Sequence, residues 1–162
     1  MICLDTAVLI WGIQGTSHPH QRGMIRRTRK YLEHLAERNE RILVPAPVLA
    51  EYLCGFEVAK QRAQQAVIEH RFRVAAFDQD AAAKFAELGY DSEPLKRIRQ
   101  EHALQRQELK FDLQVIAIAI QSGAQKIITG DAAAFQKMAA GQITVEEVPD
   151  IAKQQQIQFP ET

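Results

Sequence analysis

The chain has 162 residues, near the usual size of one domain, and 46% of them are hydrophobic, enough to bury a core without disulfides or a structural metal. Twenty basic and 20 acidic residues cancel, so the net field neither supports nor excludes nucleic acid, and any attraction must come from local patches. Cys3 and Cys54 lie in apolar segments that give no sign of a crosslinked secreted scaffold and read as packed, reduced thiols. No apolar run reaches roughly 18 residues and no basic, then apolar leader follows Met1, so a cytoplasmic protein with no membrane span is expected.

Residues 1–4 form a short apolar run that predicts a first strand ending at Asp5, and residues 6–13 predict a helix with a hydroxyl at its start. Residues 24–38 carry Tyr31, Leu32 and Leu35 among charges, the pattern of a half-exposed helix, and residues 41–44 follow as a second strand closed by Pro45. Pro47 suits the first turn of a helix that continues through Val48, Leu49, Leu53 and Cys54 to a cap at Gly55, with Glu51 one turn inside it. Residues 57–70 read as a helix, 72–77 as a third strand, and 78–88 as a helix opened by an acidic cap.

Residues 90–108 are charged and helical in pattern, whereas 113–120 are nearly all aliphatic and predict a buried helix ending near Gly123. Residues 126–129 are a fourth strand. Gly130 and Asp131 open a helix that includes Phe135 and Met138, and 143–148 give a fifth strand before a Gln-rich tail at 150–162. With no internal repeat and no dividing linker, residues 1–162 are expected to form one domain. Strands alternating with helices imply an α/β fold, with a parallel sheet of four or five strands covered on both faces and ligands beyond the carboxyl ends of the strands.

Four acids stand out in that frame. Asp5 follows the first strand and Asp131 the fourth, so both open onto one edge of the sheet, although each alone is read equally well as a helix N-cap. Asp112 has Ile116, Ala119, Ile120 and Gly123 as its helical neighbours and so shares a buried face, where a carboxylate needs a partner such as Lys110 or an arginine, a metal, or a catalytic role. Glu51 lies among Pro47, Val48, Cys54 and Gly55 with no local cation; the bland reading is an acid favoured by a helix N-terminus. Four carboxylates converging on one edge could not all ionise without a cation, and all-oxygen ligation points to Mg²⁺ or Mn²⁺ in preference to Zn²⁺. Phosphoryl transfer and phosphodiester hydrolysis are the reactions such a site serves.

The segments Leu4-Asp5-Thr6, Glu51 within residues 47–53, Phe111-Asp112 through Ala119, and Ile128-Thr129-Gly130-Asp131 with Phe135 together resemble the PIN-domain ribonucleases, especially the VapC-type toxins of type II toxin-antitoxin pairs. The resemblance spans nearly the whole chain. It implies a three-layer α/β/α PIN-like fold and an endoribonuclease in which Asp5, Glu51, Asp112 and Asp131 bind Mg²⁺ or Mn²⁺ and cut RNA. It further implies Thr6 and Thr129 as residues that orient those carboxylates or a water, a small antitoxin whose tail fills the acidic groove, and a homodimer. Two departures stand out. Ala7 occupies the place where the family often has Asn or Ser, and residues 132–134 lack a further acid sometimes found there, so a lower metal affinity is expected while the four main ligands remain.

The basic cluster of Arg22, Arg26, Arg27, Arg29 and Lys30 could hold RNA phosphates, but charge runs on helices are more often solvated faces, and the same holds for Lys96, Arg97 and Arg99. His18 and His20 read as surface residues, and Trp11 as packed against apolar neighbours. Two rival functions are weighed. A haloacid-dehalogenase-like phosphatase would need a second acid two residues after Asp5, where Ala7 stands; a PIN-like module serving only for binding or assembly would have no need of all four acids.

Overall fold

The apolar runs become five parallel strands of one sheet: β1 (Ile2–Leu4), β2 (Ile42–Pro45), β3 (Arg73–Ala75), β4 (Lys126–Thr129) and β5 (Thr144–Glu147), in the order β3-β2-β1-β4-β5. This computed structural model describes residues 1–151, so the Gln-rich tail lies outside the described residues except for Asp150 and Ile151. Every residue of β1 and β2 is buried, and so is β4 beyond Lys126, as expected of strands covered on both faces. The edge strands β3 and β5 are more exposed and shorter than the runs at 72–77 and 143–148, because each pairs on one side only, along the few residues its neighbour offers.

Helices lie on both faces, giving three α/β/α layers. They are α1 (Thr6–Leu9), prolonged by a π-helical turn (Ile10–Gln14), then α2 (Arg22–Glu37), α3 (Ala46–Cys54), α4 (Val58–Arg71), α5 (Gln79–Glu87), α6 (Glu93–Glu101), α7 (Arg106–Gln121) and α8 (Ala132–Ala139). The aliphatic stretch of α7 packs on the sheet, with Leu113, Val115, Ile116 and Ala119 buried in the same core as Leu4, Leu43 and Ile128. Along α2, Thr28, Tyr31, Leu32 and Leu35 form the buried stripe and the charges face out.

Two expectations change. The charged stretch 90–108 is not one helix: α6 ends at Glu101, Ala103 adopts φ 52°, and α7 starts at Arg106. Gln105 and Glu108 make a capping box, with the Gln105 N–H donating to Glu108 at 2.6 Å, and that box restarts the helix. Cys54 is exposed and not packed, because on α3 it shares a face with exposed Ala50 while Val48, Leu49 and Tyr52 turn inward. Cys3 is buried as expected.

The strand order sets the place of the site. From β1 the chain builds outward on one side through β2 and β3, then returns to the other side of β1 for β4 and β5. Such a reversal opens a crevice between β1 and β4 at their carboxyl ends. The register pairs Leu4 with Ile128, and the Asp5 N–H extends the ladder by donating to the Ile128 carbonyl at 3.0 Å. Asp5 and the Thr129-Gly130-Asp131 turn therefore emerge side by side.

Candidate active site

Asp5 is pinned at the mouth of the crevice by both its oxygens. Oδ1 accepts from the Thr6 N–H at 2.7 Å, which caps α1, and Oδ2 accepts from the Thr129 hydroxyl at 2.8 Å. The same Thr129 oxygen accepts from the Asp131 N–H at 3.2 Å, and Asp131 caps α8 by accepting from the Ala134 N–H at 3.3 Å. The capping role weighed for Asp5 and Asp131 is thus real, and it leaves lone pairs on each carboxylate free to face the cleft.

Glu51 arrives from the second turn of α3, and its carboxylate accepts a short hydrogen bond from the Thr6 hydroxyl. Two threonines therefore tie three acids into one network: Thr6 bridges Asp5 and Glu51, and Thr129 bridges Asp5 and Asp131. Thr6 and Thr129 are both buried, 6% and 0% exposed, so they are fixed struts and not surface hydroxyls. Asp112, from the middle of α7, borders the same cleft without a hydrogen-bond partner among the described residues.

All four acids line this one cleft of about 530 Å³, together with Phe111 and Phe135. Among the described residues none of them has a Lys or Arg within 4.0 Å, so the arginine or Lys110 weighed as a buried partner for Asp112 is not there. Burial, then the charges of Asp5, Asp131, Glu108 and Glu51, pushes the Asp112 carboxyl up to about 8. Burial also raises Asp5 above the usual carboxylate range; the hydrogen bonds from Thr129 and Thr6 oppose that shift, and Glu51 and Asp131 add to it. The donor set, hard carboxylate oxygens crowded without a counter-charge, suits a hard divalent cation. The side chains do not yet close on a common point: among the described residues no three His, Cys, Asp or Glu side chains stand at ligand spacing.

Glu108, one turn before Asp112, also lines the cleft and was not singled out from the sequence. The signal was its i−4 spacing from Asp112, hidden because residues 90–108 were read as a separate helix. Ala7 also lines the cleft, and Trp11 lines the space beside it that shares Asp5 and Asp131. A Cβ on Gly130 would come within 2.9 Å of the Trp11 ring and 3.2 Å of the Ala7 methyl, so only glycine lets the turn before Asp131 lie this close to them. Trp11 is buried, as its apolar neighbours suggested, whereas His18 and His20 are exposed and stack at 5.8 Å. No helix among the described residues is long and apolar enough to cross a membrane.

The fold has many solved counterparts. The chain resembles VapBC2 from Rickettsia felis, solved bound to a DNA fragment from the promoter, at 20% identity and a TM-score of 0.61, over 91% of this chain and 98% of that one. It resembles a toxin-antitoxin complex from Klebsiella pneumoniae at 19% identity and a TM-score of 0.59, over 93% and 99%. VapBC-1 from nontypeable Haemophilus influenzae aligns at 15% identity and a TM-score of 0.60, over 91% and 98%. None of the curated proteins matches the chain. The PIN domain model matches residues 2–141, a span that takes in β1, β4 and the whole acidic rim between them, and the chain accordingly belongs to the PIN-domain family.

Proposed function

We propose that the chain is a metal-dependent endoribonuclease and the toxin of a type II toxin-antitoxin pair, with Asp5, Glu51, Asp112 and Asp131 as its metal ligands. One observation carries this reading: acids from two strand ends and two helices line a single cleft at the switch point with no basic residue to balance them among the described residues. Mg²⁺ or Mn²⁺, when bound, supplies charge neutralisation at the scissile phosphate and a water acidic enough to attack it in line.

The protein's own part is positioning. Thr129 and Thr6 hold Asp5 and Glu51 so that their remaining lone pairs face the cleft. Burial and the neighbouring acids push the Asp112 carboxyl up to about 8, so of the four it would depend most on a bound cation to hold its charge. An ion in this cleft would be held by Asp5, Glu51, Asp112 and Asp131, which among the described residues do not stand at ligand spacing as a group of three. The Asp5 carboxylate is the most firmly held of the four, since each of its oxygens accepts a hydrogen bond.

Solved structures that resemble this chain include a toxin-antitoxin complex and VapBC assemblies, which supports a small antitoxin as partner; a homodimer and a cytoplasmic location complete the proposal. The test is incubation of end-labelled total RNA with the purified chain in Mg²⁺ or Mn²⁺ and in chelator, followed by mapping of the new ends. Cleavage that persists in chelator, or no cleavage with either ion, overturns the reading. Metal binding has its own readout: Mn²⁺ at 100 times its dissociation constant adds about 2.7 kcal/mol, which raises the melting temperature of a chain this size by about 5–10 °C.

A further inference from the structure

The basic cluster read from the sequence as a solvated helix face is one wall of a groove. Arg22, Arg26, Arg29 and Lys30 lie at i, i+4, i+7 and i+8 on α2, opposite its buried stripe, and with Glu33 at the far end they line a groove of about 730 Å³ against the turn at Gly15, Thr16 and Ser17. Helix stability does not account for the arrangement. Like charges one turn apart weaken a helix, and Arg22 stands in the first turn, where the macrodipole disfavours cations. Among the described residues none of these side chains has a carboxylate within 4.0 Å.

Arg29 lies against the turn. Gly15 adopts φ 74°, and a Cβ there would fall 2.2 Å from the Arg29 guanidinium, so the bare backbone of the turn is what lets the guanidinium lie over it. The groove is also continuous with the acidic rim. Thr16 and Ser17 line both it and a neighbouring space of about 530 Å³ that reaches Asp5 and Asp131. At that junction the Ser17 hydroxyl is buried with no hydrogen-bond partner among the described residues.

We propose that this groove seats the phosphates of the RNA strand leaving the acidic cleft, with Arg22, Arg26, Arg29 and Lys30 as its phosphate contacts and Ser17 donating at the junction. The proposal rests on the ribonuclease reading of the cleft and adds the path of its substrate. The stripe rises about 12 Å along the helix axis, long enough to meet successive phosphates of an extended strand. It needs no net positive charge on the protein, because the cations are gathered on one face of a neutral chain.

Binding and cleavage separate the two readings. The affinity of the chain for a labelled oligouridylate, measured in chelator over a range of salt, tests the groove; the rate on the same RNA in Mn²⁺ tests the cleft. The double substitution Arg26→Gln, Arg29→Gln should weaken binding at 0.15 M salt roughly tenfold and lower the slope of log K against log salt by about 1.4, since each single-strand phosphate contact contributes about 0.7. In cleavage the loss should fall on KM, and Arg26→Lys, Arg29→Lys should restore the slope. A parental chain that binds RNA through the groove and never cuts it keeps the groove and removes the nuclease reading. Equal slopes for the parental and Gln chains overturn the groove, whether or not the RNA is cut. Loss of oligoglutamate binding in the Gln pair, with RNA binding unchanged, assigns the groove to an acidic protein segment and overturns the proposal as well.

Discussion

Glu101 and Asp112 are both helical carboxylates, on α6 and α7, and they are displaced in opposite directions. The Lys137 ammonium, 2.7 Å away, donates a hydrogen bond to Glu101 and holds its carboxyl below the usual range, with the charges of His102 and Arg97 assisting. Asp112 is raised to about 8 by burial and by acids alone. The same contrast runs through the molecule: Glu93, Glu146 and Glu101 each have a lysine within 2.8 Å, while Asp5, Glu51, Asp112 and Asp131 have no such partner among the described residues. Twenty cations are available for 20 acids, so the bare cleft is not a shortage of positive charge but a separation of it. A pair made at the surface is worth little, whereas acids crowded around the half-buried Asp5 and Asp112 impose a cost that protonation or an exogenous cation relieves.

The sharpest way to break the contrast is to neutralise the cleft from within. Asp112→Asn should reduce RNA cleavage on the order of a thousandfold, the scale on which losing one preorganised charge-stabilising group acts. It should also leave the metal-free fold more stable by about 1–3 kcal/mol at pH 7, after discounting for solvent screening. Urea unfolding in chelator gives the second quantity and a cleavage time course the first. A variant that cuts at the parental rate removes Asp112 from the site; a variant that is destabilised shows that its carboxylate is compensated.

Proton linkage sharpens the same comparison. The folded-state pKa of Asp112 is above its unfolded value of 3.8, so between about pH 4 and 8 the native chain binds more protons than the unfolded one. Stability attributable to this group is therefore present at low pH and declines as the pH rises toward 8, by at most about 1.4 kcal/mol per unit. Glu101 has the opposite sign: its lowered pKa contributes stability above the unfolded value that is lost as pH falls. Urea midpoints in chelator from pH 5 to 8 should fall for the parental chain, and the slope should flatten in Asp112→Asn. Saturating Mn²⁺ should flatten it as well, and a slope equal in all three would mean that the cleft does not titrate.

The layout of the cleft was legible in the sequence to the extent that strand ends are. Asp5 and Asp131 follow apolar runs, and parallel strands place such residues on one edge, so their proximity follows from alternation of strand and helix. The buried face of Asp112 followed from its helical neighbours. What periodicity could not supply was side-chain pairing across long separations: the bond from Thr6 to Glu51 spans 45 positions and that from Thr129 to Asp5 spans 124. Glu108 was hidden by a helix boundary, and the groove beside α2 by its far wall, since a helical wheel shows that Arg22, Arg26 and Arg29 share a face but not that Gly15 to Ser17 faces them. Cys54 was misjudged for a related reason: an apolar segment does not say which of its faces is outermost.

Those long-range hydroxyl bonds yield the smallest and most discriminating test, a pair of isosteric substitutions at buried threonines. Thr129 and Thr28 are each 0% exposed, but the Thr129 hydroxyl serves Asp5 and Asp131 whereas the Thr28 hydroxyl has no partner among the described residues. Thr129→Val strips the buried Asp5 oxygen of its donor and the Asp131 N–H of its acceptor, so it should cost about 1–2 kcal/mol and slow cleavage about 10–100-fold. Thr28→Val removes an unpaired polar atom from an apolar setting and should be neutral or stabilising by a few tenths of a kcal/mol. Thermal unfolding with and without Mn²⁺ separates the two: the shift caused by the ion should shrink in Thr129→Val and persist in Thr28→Val. Equal behaviour of the two variants would mean that the threonine bridges do not hold the acids for the ion, and that the cleft is positioned by the strand ends alone.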